Sequence, residues 1–238
     1  MGYILLEGGA EFGGRMADPD RKAIDLAGGL DAPICIIPAA AAPDHNDQRA
    51  GRNGLEWFRS LGATRVAALP LIDRSSANAP SIAAKIRGAR LIYLLGGFTR
   101  HLGQTLSESA SWRAMREAYQ EGAVLAGSSA GAMVLCEHYC DRQSGRVFAG
   151  LGFVPGACVI PHHDTFGREW VPQIASLLPE AALIGIDEET GLIDDGEGGQ
   201  WAVHGKGKAT LYRGGRETAY PAGTSFTLRE RISRQKAR

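Results

Sequence analysis

The sequence predicts an α/β fold in three layers, with a mostly parallel central sheet between helices and extra β-strands at the C-terminal end. Short runs rich in Ile, Val and Leu alternate with longer segments of helical period, which is the pattern of βαβ units. The first runs are almost continuously apolar, as in strands that are buried on both faces. After Gly150 the helical segments give way to short runs between Gly-rich turns, which favours β-structure.

Five apolar runs are predicted to form the central sheet: Tyr3 to Leu6, Pro33 to Pro38, Arg65 to Pro70, Leu91 to Leu95, and Ala123 to Ala126. Three segments of helical pattern between them are predicted crossover helices: Asp18 to Ala27, Asp47 to Leu61, and Ser76 to Arg87. A proline near the start of the first helix and a glycine after each of the other two are typical of helix ends. The alanine run at residues 39–42 is expected to be a loop or a helix start.

The C-terminal third contains six further candidate strands: Cys158 to Ile160, Leu183 to Ile186, Gly191 to Ile193, Gln200 to Val203, Ala209 to Tyr212, and Ser225 to Leu228. No linker rich in proline, serine or charge separates them from the first half, so we expect them to extend the same sheet with an antiparallel edge. The length of 238 residues suits one domain better than two. We therefore expect a single domain over residues 1–228 and a polar, basic tail at residues 229–238.

The composition narrows the class of partner and the compartment. Lys plus Arg equals Asp plus Glu at 26 residues each, so no net charge attracts nucleic acid or an anionic membrane, and a small molecule or peptide is the expected partner. The four cysteines lack the paired spacing of zinc sites and are interpreted as buried, reduced thiols. No apolar stretch approaches the roughly 20 residues needed to span a bilayer, and no basic segment of a secretory signal precedes the first strand. We expect a cytoplasmic protein.

The segment from Val124 to Met133 combines an apolar strand, a turn of small residues and a run with helical preference. Its centre, residues 127–131, reads Gly-Ser-Ser-Ala-Gly and matches the G-x-S-x-G pattern of a nucleophile elbow. In such an elbow a strained strand-to-helix turn exposes the serine oxygen, and the glycines allow close backbone approach. Ser129 is therefore the candidate nucleophile, since Ser128 lies one residue before the apex. The next amide, that of Ala130, is a candidate donor to a developing oxyanion.

A serine nucleophile needs a base, and the base needs an orienting acid. His162 and His163 follow a candidate strand, at the place where open α/β sheets position their sites. We prefer His162 as the base and keep His163 as the alternative. Among the other histidines, His101 and His204 remain possible bases. His45 is expected in a loop and His138 on a helix surface.

Two carboxylates are candidates for the acid. Glu188 lies just beyond a candidate strand and would reach an imidazole that emerges from a neighbouring strand. Asp141, beyond the helix that follows the elbow, is the alternative. A Gly-Gly turn in the segment Leu94 to Thr99 ends another strand at the same rim, so Gly97 is the candidate for a second oxyanion donor.

The elbow, the Gly-Gly turn, the histidine and the segment Ile186-Asp-Glu188 occur in this order over most of residues 3–213. In this combination the chain resembles the aspartyl dipeptidase and cyanophycinase family of serine peptidases, most closely in Ser129-Ala-Gly-Ala132. The resemblance implies a flavodoxin-like or class I glutamine amidotransferase-like sandwich, with Ser129 as nucleophile, His162 as base and Glu188 as acid. Asp141 stands where some members have an aspartate instead. The resemblance also implies a homodimer, and it implies a reaction that needs no metal or cofactor.

The family further implies hydrolysis of short peptides or isopeptides that contain an aspartyl or β-aspartyl residue, through an acyl-enzyme. Arg168 lies near the place where cyanophycinases have arginines that face the substrate, and a guanidinium there would bind a carboxylate. Two positions depart from the pattern: Phe98-Thr99 follows the glycine pair and Ile160-Pro161 precedes the histidine, where cyanophycinases usually have Asp-Gln. Phe98 is therefore expected to contact substrate in a pocket of altered polarity.

Three other functions would use the same features differently. An α/β-hydrolase esterase would share the elbow but need a late histidine, for which His204 is the candidate. Metal-assisted hydrolysis would use the segment His162-His163-Asp164 with His101 as a further ligand. A non-catalytic amidotransferase-like binding module is compatible with the fold alone. The glycine-rich segment Glu7 to Gly14 lacks the spacing of a dinucleotide loop and is expected to lie at the rim of the sheet.

Overall fold

A computed structural model of the chain describes residues 1–197 and 199–228. The tail predicted at residues 229–238 lies outside the described residues. Helices and strands are numbered along the chain. None of the described helices is both long enough and apolar enough to cross a membrane.

The larger of two sheets has eight strands and contains all five strands that were predicted for the first half of the chain. Across the sheet, the strands are β14 (Ser225–Thr227), β11 (Gln200–Gly205), β10 (Thr190–Asp194), β1 (Tyr3–Glu7), β5 (Val124–Ser128), β4 (Leu91–Leu94), β2 (Ile34–Ile37) and β3 (Val66–Ala68). Strands β1, β5, β4, β2 and β3 are parallel to one another. Strands β10, β11 and β14 each pair antiparallel with the neighbouring strand. Parallel strands end at one edge of a sheet, so β1, β4 and β5 present their following loops together.

The second sheet has six strands. Across it, the strands are β13 (Arg216–Pro221), β12 (Lys208–Arg213), β9 (Ala182–Ile186), β8 (Val154–Ile160), β6 (Cys136–Asp141) and β7 (Arg146–Ala149). The central strands β6, β8 and β9 are parallel, and the others are antiparallel.

Eight α-helices accompany the sheets in the described part of the chain. They are α1 (Ala17–Leu26), α2 (Asp47–Ser60), α3 (Arg74–Ala77), α4 (Pro80–Arg87), α5 (Thr99–Leu106), α6 (Ala110–Gln120), α7 (Ala130–Leu135) and α8 (Val171–Leu177). Short 3-10 helices form at Gly14–Met16, Ala39–Asp44 and Gly167–Trp170, and the second of these contains the alanine run.

The faces of β1 show how the layers are arranged. Leu5 packs with Ile24 of α1 and Phe58 of α2 in one hydrophobic cluster. The neighbouring residue Ile4 points the other way, as alternation along a strand requires, and joins a cluster with Met115 of α6. The second sheet contributes to this same cluster, so helices and the second sheet together cover that face of the larger sheet. The predicted α/β architecture with helices on both faces and extra C-terminal strands is confirmed.

The expectation that all C-terminal strands extend one sheet is wrong for half of them. Strands β10, β11 and β14 do continue the larger sheet beside β1. Strands β8, β9 and β12, however, pair with each other and with β6 in the second sheet. An apolar run specifies that a strand is buried but does not specify the partner to which its backbone hydrogen-bonds.

Two local predictions also need correction. The helix expected over Ser76 to Arg87 is two helices, because Asp73 and Ser76 form a capping box that starts α3, and Pro80, which lacks an N–H, starts α4. His138 was expected on a helix surface but lies on β6, paired with Ala149 of β7. Helix α7 ends at Leu135 because the following backbone is recruited into the second sheet.

Candidate active site

The backbone at Ser129 has the strained geometry of an elbow. Ser129 follows β5 and precedes α7 with φ 48° and ψ −110°, a conformation that costs a non-glycine residue on the order of 1–3 kcal/mol. Two hydrogen bonds hold it there: the Ser129 amide donates to the Glu7 carbonyl at 3.0 Å, and the Ser129 carbonyl accepts from the Met133 amide at 3.0 Å. The serine oxygen is thereby presented at the edge where the parallel strands end.

The two glycines of the elbow motif are required by close backbone packing. A Cβ on Gly127 would lie 2.4 Å from the carbonyl carbon of Gly131. A Cβ on Gly131 would lie 2.1 Å from the Leu94 carbonyl oxygen of the neighbouring strand β4. These distances are far inside van der Waals contact, so any side chain at either position would push the elbow away from the sheet.

His162 approaches Ser129 from the second sheet. It lies two residues beyond β8, and its Nε2 is 3.0 Å from Ser129 Oγ. Its backbone has φ 51° and is held by a hydrogen bond of 2.8 Å from its amide to the Gly8 carbonyl. The imidazole stacks on Phe166 with 4.9 Å between ring centres. The base candidate is thus positioned where the rims of the two sheets meet.

Glu188 completes a chain of three side chains. Its Oε1 lies 2.9 Å from His162 Nδ1, and the Glu188 amide donates to Asp164 Oδ1 at 2.8 Å. Because a carboxylate only accepts hydrogen bonds, Nδ1 carries the proton and Nε2 is left as an acceptor facing Ser129. The side chains of His162 and Glu188 are 21% and 36% exposed, so the pair is partly shielded from water.

The alternatives for base and acid are occupied elsewhere. His163 is buried, with Nδ1 3.3 Å from Asp187 Oδ1 and Nε2 2.8 Å from the Tyr212 hydroxyl. Asp141 accepts hydrogen bonds from the amide and hydroxyl of Ser144 in the turn between β6 and β7. The structure therefore brings Ser129, His162 and Glu188 together and leaves both alternatives outside this chain of hydrogen bonds.

Two backbone amides are available next to the serine. The Ala130 amide is the first of α7, and Gly97 has φ 135° and lines the same cavity as Ser129. Within the described ranges, neither amide has a hydrogen-bond acceptor. A Cβ on Gly97 would lie 2.4 Å from the Ala40 carbonyl oxygen, so this turn admits only glycine.

The cavity that contains Ser129 has a volume of about 280 Å³. It is lined by Gly97, Thr99, Ser129, Met133, Arg142, Pro161, His162, Phe166 and Trp170. Phe98 does not line this cavity, but it lines two other depressions that share Gly97 with it. Arg168 does not line it, and its guanidinium instead donates to Glu217 at 2.9 and 3.2 Å.

The remaining histidines do not join Ser129. His101 Nε2 lies 2.7 Å from the Ile72 carbonyl oxygen, and His204 lies on β11 in a separate depression that is also lined by Asp18. His45 follows the 3-10 helix at residues 39–44 and so lies in a loop, as expected. His162 and His163 point to different partners, and no cluster of three or more metal-ligating side chains occurs among the residues that the structure describes.

Sequence reasoning missed a buried carboxyl pair directly behind the elbow. Glu7 ends β1 beside Ser128, accepts a hydrogen bond from the Tyr93 hydroxyl, and is completely buried. Asp20 of α1 accepts from Trp57 Nε1 at 2.7 Å. Burial, together with the charge of Asp20, raises the pKa of Glu7 well above its usual value. Burial likewise raises the pKa of Asp20 to about 7.

This pair predicts that stability falls as pH rises. A carboxyl whose pKa is raised on folding stabilises the protein fully below its unfolded pKa and loses that contribution as pH rises through its folded pKa, here about 7 for Asp20. We expect Asp20→Asn to remove part of this dependence. The free energy of unfolding of the wild type should drop by about 2 kcal/mol more than that of the variant between pH 5 and pH 8.

Denaturant unfolding at both pH values measures this difference. Asp18→Asn is the matched control, because Asp18 is 38% exposed on the same helix and pairs with Arg15 at the surface. Its pH dependence should match the wild type. If the free energy of unfolding depends on pH equally in the wild type and in Asp20→Asn, the raised pKa does not belong to Asp20.

Comparisons with known proteins place the chain in a family of peptidases. The model of peptidase family S51 matches residues 4–201. The chain is 31% identical over 224 residues to the cyanophycinase of Synechococcus elongatus, covering 88% of this chain and 67% of that protein. It is 28% identical over 221 residues to the cyanophycinase of Nostoc sp., covering 87% of this chain and 72% of that protein.

Two solved structures of peptidases are also similar to this chain. The crystal structure of a peptidase from an acI-B1 Actinobacterium is 30% identical, with a TM-score of 0.84 over 95% of this chain and 97% of that one. A putative peptidase E from Listeria monocytogenes EGD-e shares the fold at 17% identity, with a TM-score of 0.59 over 94% of this chain and 100% of that one. With the family match spanning most of the domain, the chain belongs to peptidase family S51 and is a peptidase hydrolase.

Proposed function

We propose that this peptidase uses Ser129 as its nucleophile, His162 as its general base and Glu188 as the acid that orients the base. The observation that carries the proposal is the continuous chain of hydrogen bonds from Ser129 Oγ through His162 to Glu188, at 3.0 and 2.9 Å. Nucleophile, base and orienting group within hydrogen-bond distance are the signature of covalent catalysis by serine.

The reaction follows from these positions. His162 Nε2 accepts the proton of Ser129 Oγ while the oxygen attacks the scissile carbonyl carbon, and Glu188 stabilises the imidazolium that forms. The negative charge on the carbonyl oxygen is bound by the amides of Ala130 and Gly97. His162 then gives its proton to the leaving amine, which departs and leaves an ester on Ser129. Water, deprotonated by His162, hydrolyses this ester and restores the serine.

The substrate we propose is a short peptide or isopeptide with an aspartyl or β-aspartyl residue on the acyl side. Its support is the similarity to proteins named cyanophycinase and the small volume of the cavity beside Ser129. A cavity of about 280 Å³ suits one short side chain rather than a folded protein segment. We also propose a cytoplasmic location, because all four cysteines are free and buried.

Labelling with an uncharged fluorophosphonate tests the nucleophile without knowledge of the natural substrate. We expect the wild type to become labelled at Ser129. Ser129→Ala should show no labelling and His162→Ala should show almost none, because only an activated serine is phosphonylated. Circular dichroism of each variant controls for folding. A folded wild type that resists labelling would contradict the assignment of Ser129 as an activated nucleophile.

A further inference from the structure

We infer that Arg142 is a specificity-determining residue, which binds a carboxylate of the substrate on the acyl side of the scissile bond. The inference rests on the proposed function of Ser129. Arg142 lies in the turn between β6 and β7, and it lines the cavity that contains Ser129 and His162. Among the described residues that line this cavity, Arg142 is the sole permanently charged side chain.

The arginine is held over the site by aromatic rings. Its guanidinium lies 4.8 Å from the ring centre of Phe166 and 5.5 Å from that of Trp170. Phe166 in turn stacks on His162, so the cation is supported by the same ring that supports the base. Stacking on a ring face leaves the edge of a guanidinium free to donate paired hydrogen bonds to a carboxylate.

The guanidinium of Arg142 also lacks a carboxylate partner within the described part of the protein. No carboxylate there forms an ion pair with it, and the adjacent Asp141 is hydrogen-bonded to Ser144. Arg168 differs on both counts, because it is paired with Glu217 and lies outside the cavity lining. An unpaired guanidinium in the cavity of the nucleophile favours an anionic ligand there.

The carboxylate has two chemical sources. In an α-linked aspartyl peptide it is the side-chain carboxylate, and in a β-linked isopeptide it is the α-carboxylate, because the scissile bond then involves the side chain. Both lie within a few bonds of the carbonyl that Ser129 would attack. The arginine therefore selects for a carboxylate near the scissile carbonyl, and the two ligand types in the experiment below distinguish the two linkages.

Protection against fluorophosphonate labelling tests the inference. Three small ligands are compared as competitors: N-acetyl-aspartate α-amide, which has a side-chain carboxylate, N-acetyl-asparagine, which has an α-carboxylate, and neutral N-acetyl-asparagine α-amide. At least one of the two anions should slow labelling of the wild type at a concentration at least tenfold lower than the neutral ligand. This preference should disappear in Arg142→Gln and be partly retained in Arg142→Lys, which keeps the charge.

Arg168→Gln is the matched control and should keep the preference, since that arginine lies outside the cavity lining. The preference is measured in each variant as the ratio of the protecting concentrations of the neutral and the anionic ligands, so a change in the basal labelling rate of Arg142→Gln does not affect it. A wild type that is labelled but protected equally by all three ligands would overturn the inference. Loss of the preference in Arg168→Gln but not in Arg142→Gln would also overturn it. A wild type that is not labelled would instead reject the proposed function.

Discussion

Glu188→Gln is expected to lower the second-order rate constant for phosphonylation of Ser129 by about 10³–10⁴-fold while leaving the fold intact. The amide of glutamine can donate to His162 Nδ1, which favours the tautomer with its proton on Nε2. That tautomer cannot accept the proton of Ser129. The variant also loses the negative charge that stabilises the imidazolium, and the equivalent change in a well-studied triad costs about 10⁴-fold.

Asp141→Asn is the control for this experiment. Asp141 accepts from Ser144 in the turn after β6, and an asparagine oxygen can still accept those hydrogen bonds. Its rate should stay within about threefold of the wild type. A strong loss in Asp141→Asn together with a near-normal Glu188→Gln would assign the acid to Asp141 instead.

Gly9→Ala is expected to lower the same rate constant by at least about 100-fold. A Cβ on Gly9 would lie 2.3 Å from Cε1 and 2.6 Å from Nδ1 of His162, so the imidazole must move. Nδ1 is the atom that donates to Glu188, and Phe166 stacks on the same ring. A displacement of about 1 Å in a catalytic group is enough to cost about 10²-fold.

Gly13→Ala provides the matched comparison in the same loop. Gly13 has an extended backbone, and among the described residues no atom beyond Gly13 and its two chain neighbours lies within 4 Å of the position of its Cβ. Alanine there should leave the labelling rate unchanged. Gly9 has φ 137°, so thermal unfolding of Gly9→Ala must be measured as well, because the backbone strain costs on the order of 1–3 kcal/mol. A folded Gly9→Ala with the wild-type rate would mean that His162 does not need its observed position.

Much of the site was predictable because its parts are local. The elbow around Ser129 is a continuous motif, in which glycines, an apolar strand and a helix-forming run occur at fixed spacing. His162 and Glu188 each follow an apolar strand, and residues just beyond parallel strands collect at one edge. The hydrogen bonds between the three side chains agree with that expectation, although their roles in catalysis stay a proposal.

Other parts of the site involve contacts between distant segments. Gly9 lies against His162, and Arg142 shares a cavity with Ser129. Glu7 and Asp20 form a buried carboxyl pair behind the elbow, whereas the sequence predicted only a glycine-rich segment at the rim of the sheet and a crossover helix there. Local sequence patterns do not indicate which residues from distant segments will be in contact.

The sequence by itself determined the α/β class, the five parallel strands of the larger sheet and the elbow. These features depend on the local pattern of apolar and turn-forming residues, which the sequence contains directly. Only the tertiary structure decided that β8 belongs to a second sheet, and therefore that His162 approaches Ser129 from across the junction of two sheets. The physical reason is that strand pairing joins backbone groups, which are the same in every residue. The choice of partner then depends on how the whole core packs.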